Sequence, residues 1–220
     1  VHDTMIQADV DSAQLPALLA LQGVAYIEER LQSALFNDKS VIMTGVADVR
    51  QRFNLYGKGQ IIAILDGGLD TGKNDASMHD DIEGRIIGMT NVWAGGFCCS
   101  DNGTDYDSHG THVTGTALGN GVLSGSNPSQ RQFANSYAGA APEATLIFQA
   151  IGDDQGSLYV YPPYPYSTLL FLPPYLQGAR VHSDSWGSVS ATFYGIYENS
   201  AQDVDRFAAK YQDMVVLFAA

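Results

Sequence analysis

The sequence predicts an α/β protein built on a doubly wound, mostly parallel β-sheet, and two observations carry that expectation. Continuous β-branched and apolar runs, the kind buried on both faces of a parallel sheet, recur as "QIIAIL" from Gln60, "RIIGMTNVW" from Arg85, "ATLIFQAI" from Ala144, "ARVHSDSW" from Ala179 and "MVVLFAA" from Met214. Between the last two, Val204, Phe207, Ala208 and Tyr211 repeat at i, i+3, i+4 and i+7, one face of a helix. Strands alternating with helices form open α/β sheets, whose sites gather at the carboxyl ends of the strands.

The chain opens on "VHDTMIQADVDSAQLPALLALQGVAYIEE", which reads as strand, helix, strand. Asp11 or Ser12 caps the helix, Leu15, Leu18, Leu19 and Leu21 form its buried side, and Gly23 stops it. "RLQSALFNDKSVIMTG" reads as an irregular connector, and "VADVRQRFNLYGKG" as a short helix closed by glycines. After the strand from Gln60, "HGTHVTGTALG" starts a helix at His109 with Ser108 as its cap. "GNGVLSGSNPSQRQFANSYAG" is a surface loop, and the Tyr/Pro-rich stretch from Tyr159 to Tyr166 is another. The first residue is Val1 and the last residues are an apolar run without a polar tail, so both ends read as cut and the sheet as incomplete.

Twenty-four acidic residues against eleven basic ones leave −13, which disfavours nucleic acid and anionic membrane as partners, because both reward positive charge. Proline interrupts the longest apolar segment before it reaches membrane-spanning length. Cys98 and Cys99 are adjacent, which strains a bridge between them; two free thiols, partners elsewhere and a vicinal bridge all stay open.

Asp66 follows "QIIAIL" directly, so its carboxylate emerges at the sheet's carboxyl edge, although aspartate also starts turns there. His109, in the first turn of its helix, feels the positive end of the helix dipole, which favours the neutral imidazole that a general base needs at rest. His109 and His112 stand three apart, but no third ligand follows at a zinc spacing, and His112 reads as a packed residue of the helix.

Five stretches in register resemble the subtilisin-like serine proteases, the subtilases. "AILDGGLD" is similar to the family's strand followed by D-[ST]-G-[apolar]-D. "MHDDIEGRI", "HGTHVTG", "AGAAPEATL" and "SWG" are similar to its further motifs, in the family's order, over about Val46–Ala220. The resemblance implies a subtilisin-like sheet and a serine endopeptidase acting on proteins or peptides through an Asp-His-Ser triad, with Asp66 and His109 as its first two members. It also implies that Ser185, Trp186 and Gly187 line the S1 pocket and pair with an extended substrate. No G-[ST]-S-x-[AS] motif occurs in the chain, so the serine is expected beyond it and the 220 residues alone are expected to be inactive.

The resemblance further implies that residues 1–35 are the end of an inhibitory propeptide, a β-α-β remnant whose tail occupies the substrate cleft. Maturation cleavage then falls in a connector at 36–45, and 46–220 is the N-terminal part of the catalytic domain. It implies secretion, and calcium at Asp81, with Asp101, Asp105 and Asp107 crowding one loop nearby; no cofactor is expected in catalysis. Two departures stand out. Gly67 replaces a Ser or Thr whose hydroxyl can bond the catalytic carboxylate, which would raise the Asp66 pKa, and Pro173 and Pro174 should shorten the helix before "SWG". The alternatives are a non-catalytic homologue that binds peptides, and an aspartic protease using "LDTG" at Leu69–Gly72, which needs a second such motif on a β framework.

Overall fold

The computed structural model describes residues 10–24, 27, 37–92, 103–153, 158, 165–187 and 195–219. The chain divides into two compact units, Val1–Leu35 and Phe36–Ala220. In the first, Asp11 Oδ1 accepts from the Ala13 N–H at 2.9 Å and starts a turn, Ser12–Gln14, that runs into α1, Leu15–Leu19. Leu15 and Leu18 are half-buried, but Leu19 and Leu21 are exposed: five residues make too little helix for one stripe to collect all four leucines. The strands expected on either side fall almost entirely outside the described residues.

In the second unit the expected connector carries a helix, α2, Asn37–Met43. Its apolar end lacks a helical stripe, and Ile42 and Met43 are exposed, which is why no periodicity announced it. Gly45, at φ 77°, separates α2 from α3, Val46–Phe53. Asn54, left-handed at φ 54°, ends α3 in place of the expected glycines.

Five strands follow: β1 Ile61–Asp66, β2 Ile86–Asn91, β3 Thr145–Ala150, β4 Val181–Asp184 and β5 Val215–Phe218. They lie in the order β2-β3-β1-β4-β5, and every neighbouring pair is parallel. Central β1 has a strand on each side and a helix layer on each face, so Ala63, Ile64 and Leu65 are fully buried, as its unbroken apolar run requires. On one face α4, His109–Leu118, lays Leu118, Val113 and Ala117 over Ile64, Leu146 and Phe148.

On the other face Ala63, Leu65 and Ile147 meet Leu170, Phe171, Phe207 and Met214. Each fully buried Phe there contributes roughly 1.5–3 kcal/mol. Phe207 comes from α6, Asn199–Lys210, on the predicted stripe; Ala208 is exposed and Val204 and Tyr211 are half-buried. Asp203, also buried, accepts from the Ser167 N–H at 2.8 Å and its hydroxyl at 3.0 Å. That caps a helix of two registers, π over Ser167–Phe171 and α over Leu172–Leu176, the latter named α5. Pro173 and Pro174 occupy the first turn of α5, where a missing N–H costs no α-helical bond, so the prolines follow a register change rather than break the helix.

β5 is the sheet's outer strand among the described residues, with Val215, Leu217 and Phe218 exposed. An apolar edge with unpaired backbone groups recruits further strands. The 220-residue chain is expected to associate at low micromolar concentration, and Leu217→Lys to shift it toward monomer in analytical ultracentrifugation. A wild-type chain that sediments as a monomer across that range would contradict this.

Candidate functional site

β1 delivers Asp66 at its carboxyl end with the side chain 1% exposed. Gly67 and Gly68 then turn the chain, and Gly68 has no room for a side chain: a Cβ there would run into the Thr104 carbonyl and stand 2.7 Å from Asp105 Cα. α4 comes in against this turn through Gly110, whose Cβ would collide with the Gly68 carbonyl oxygen. That close approach sets His109 Nδ1 2.8 Å from Asp66 Oδ1, which also accepts from the Gly67 N–H at 2.7 Å. The imidazole is 49% exposed, with Nε2 on the side of the ring away from the buried carboxylate.

Ser108 does not cap α4. It is left-handed at φ 65°, where its side chain makes no cap bond, whereas a capping residue is normally extended. Two carboxylates cap instead: Asp107 Oδ1 accepts from the His109 N–H at 3.0 Å, and Asp105 Oδ2 accepts from the Thr111 N–H at 2.7 Å and from its hydroxyl. The Thr111 hydroxyl oxygen in turn accepts from the Asp70 N–H at 2.8 Å, and Asp70 Oδ2 accepts from the His79 N–H at 2.6 Å. Asp105 and Thr111 thus lock the helix start to the loop after β1. Sequence reading missed both in this role; the signal was an aspartate just ahead of a helix whose expected cap was a serine.

These charges reverse one expectation. The helix dipole was expected to favour neutral His109, yet its pKa is raised, first by the hydrogen bond to Asp66 and then by the charges of Asp66, Asp107 and Asp105, with burial opposing. The capping carboxylates also offset the positive end of the dipole. Burial pushes the Asp66 carboxyl up, against the bonds from His109 and Gly67, and Oδ2 is buried with no hydrogen-bond partner among the described residues. That orphan oxygen fits the missing hydroxyl at position 67. A Cβ built on Gly67 would lie 3.5 Å from Asp107 Oδ1, so a hydroxyl there would also meet Asp107.

The sign follows. A raised His109 pKa adds stability that is complete below the unfolded histidine value and is lost as pH rises through the folded one. Chemistry that needs the neutral ring therefore switches on at higher pH than it would with an unperturbed histidine. In a chain with its nucleophile, Asp107→Asn is expected to move the acidic limb of kcat/KM to lower pH, read from a pH–rate profile; an unmoved limb would remove Asp107 from the electrostatics of His109.

Among the other expected site residues, the β4 register sets Leu65 opposite Asp184, which brings Ser185 level with Asp66. Ser185 is half-buried, Trp186 is half-buried and edge-on to Phe218 at 5.5 Å between ring centres, and Gly187 is exposed. His112, expected to be packed, is exposed, because α4 turns residues 110, 114 and 118 inward. Asp81 Oδ1 accepts from the Leu123 N–H at 3.0 Å, and no three His, Cys, Asp or Glu side chains among the described residues form a group able to hold a metal. Cys98, Cys99 and Asp101 lie outside the described residues.

The Subtilase family model matches residues 57–220. The chain is similar to the serine protease/ABC transporter B family protein tagD of Dictyostelium discoideum, 34% identical over 192 residues that make up 85% of the chain and 10% of tagD. It is 36% identical over 102 residues to the major intracellular serine protease of Bacillus subtilis, covering 46% of the chain and 27% of that protein. Among solved structures, the CspB protease of Clostridium perfringens superposes with a TM-score of 0.57 at 22% identity, over 82% of the chain and 40% of CspB. The chain therefore spans a minor part of each.

Proposed function

The chain belongs to the subtilase family of serine proteases, and from that premise we propose that it carries the charge-handling half of a serine endopeptidase site, Asp66 and His109. The observation that supports this best is the 2.8 Å contact of His109 Nδ1 with a carboxylate buried at the end of the central strand. A carboxylate there keeps the proton on Nδ1 and leaves the Nε2 lone pair free. Nε2 takes the proton of a serine hydroxyl as that oxygen attacks a peptide carbonyl, Asp66 stabilises the imidazolium, and the proton then passes to the leaving amine. The serine comes from residues outside these 220. Ser185, Trp186 and Gly187, continuing β4 beside Asp66, pair with the substrate as an added strand and border its S1 pocket.

Residues 1–35 act as the remnant of an inhibitory propeptide in this reading. Cleavage within 36–45 then requires α2 to open, because a protease takes its substrate extended. Secretion rests on the family resemblance alone, and the family also includes a protease named as intracellular. A second reading, a homologue that binds peptides without cleaving them, draws on the orphaned Asp66 Oδ2.

Full-length protein treated with a fluorophosphonate probe and assayed on a chromogenic peptide separates the two. Labelling of one serine with matching loss of hydrolysis supports the endopeptidase. Peptide binding with neither labelling nor turnover supports the binding protein. The 220-residue chain alone is expected to do neither chemistry.

A further inference from the structure

A buried polar chain unused by Asp66 and His109 runs under the strand that leads to Trp186. His182, in the middle of β4, is fully buried, with Nδ1 2.9 Å from Asp184 Oδ2 and Nε2 3.0 Å from Gln149 Oε1. Gln149 is on β3, and β1 lies between β3 and β4, so the imidazole reaches across the central strand. The small side chain opposite it, Ala63, leaves room for that crossing. Phe171 closes the ring in from the helix layer, edge-on at 5.0 Å between ring centres.

Asp184 follows two residues on, at 1% exposure. With Gln149 Oε1 accepting, Nε2 donates, and Nδ1 meets the Asp184 carboxyl. Burial pushes the Asp184 carboxyl upward, opposed first by its hydrogen bond with His182. Asp184 Oδ1 and Trp186 Nε1 are both buried, and neither has a hydrogen-bond partner among the described residues. A buried acceptor and a buried donor left over two residues apart on one strand face are costly unless they come to serve each other.

We propose that Gln149, His182 and Asp184 are positioning residues for Trp186: the carboxylate directs the indole N–H, and the chain anchors that carboxylate across three strands, fixing the indole as a wall of the substrate groove. Strand alternation puts residues 182, 184 and 186 on one face and Ser185 on the other, with Asp66, so the indole is held from the side opposite the reacting groups. The proposal rests on reading Ser185–Gly187 as the substrate strand. Its consequence is specificity: an aromatic ring that cannot swing presents one pocket shape, and the effect falls on substrate binding rather than on proton transfer.

The test uses full-length protein with ¹⁵N-labelled tryptophan, the Trp186 indole resonance being assigned by its loss in Trp186→Phe. Asp184→Leu is expected to shift that resonance, to speed its exchange with solvent, and to raise KM for peptides about 10-fold at unchanged kcat, the scale of one hydrogen bond to a charged group. Asp184→Asn, which keeps an acceptor oxygen, should restore most of both. Should the leucine variant not fold, Gln149→Leu is expected to shift the resonance less and in the same direction. An unmoved indole resonance in folded variants overturns the proposal, as does a fall in kcat at constant KM. A moved resonance with unchanged KM overturns the substrate-strand reading, and with it the link to substrate, while hydrolysis itself tests the endopeptidase independently.

Discussion

Gly110→Ala is expected to cut kcat/KM of a chain with its nucleophile by about 100-fold and to destabilise the fold by roughly 1–3 kcal/mol. A Cβ at position 110 would overlap the Gly68 carbonyl oxygen, a backbone atom that cannot turn aside, and would stand 3.1 Å from Asp66 Cβ. Relief requires α4 to back away from β1. His109 is the first residue of α4, so the displacement goes straight into its 2.8 Å contact with Asp66. A misplacement of about 1 Å is enough for a loss of that size.

Gly115→Ala on the same helix is the control. Its Cβ meets nothing within 4 Å, so activity should hold and stability rise by roughly 0.5–1 kcal/mol, the usual gain of alanine over helical glycine. Denaturant unfolding and peptide hydrolysis read both variants. Full activity in a folded Gly110→Ala protein would show that the helix–turn approach does not set the pair.

What was legible in the sequence is what packing dictates to every residue of an element. The five strands form at the stretches where apolar residues gather, most plainly central β1, which is buried on both faces and apolar up to Asp66. Asp66 was legible for the same reason, as the first charge after the most apolar run. What escaped depends on one atom meeting another far along the chain. Nothing in "DSHGTHVTG" says that Ser108 turns left-handed and yields the cap to Asp107 and Asp105, or that the bond to Asp66, with those charges behind it, raises the His109 pKa. "HSD" reads as three polar residues interrupting a strand. Only the sheet order shows that His182 bridges to Gln149 across Ala63. The prolines of "LPPYL" imply a shortened α-helix, and nothing in the residues announces the π register ahead of them.

Asp66→Asn in the full-length enzyme is expected to reduce turnover by about 10⁴, the cost of the comparable change in the serine-protease triad, while leaving the fold intact. The amide matches the carboxylate in size, so the buried site at the end of β1 repacks little. Its oxygen can still accept from the Gly67 N–H, but an amide brings donor hydrogens that can hold His109 in the wrong tautomer, and it carries no charge to stabilise the imidazolium. Replacing the carboxylate weakens the hydrogen bond that is the largest cause of the raised His109 pKa and removes the Asp66 charge that adds to it, so the residual activity should switch on at lower pH than in the wild type.

Asp70→Asn provides the contrast four residues on. Asp70 is left-handed at φ 45°, a conformation asparagine tolerates, and its Oδ2 accepts from the His79 N–H, a bond an amide oxygen can keep. That change should cost less than 10-fold in turnover, with any deficit appearing in stability. Hydrolysis of a chromogenic peptide across pH, with a fluorophosphonate as control, measures both variants. Turnover abolished by Asp70→Asn but retained by Asp66→Asn, in folded proteins, would mean that the carboxylate beside His109 is not the one that serves it.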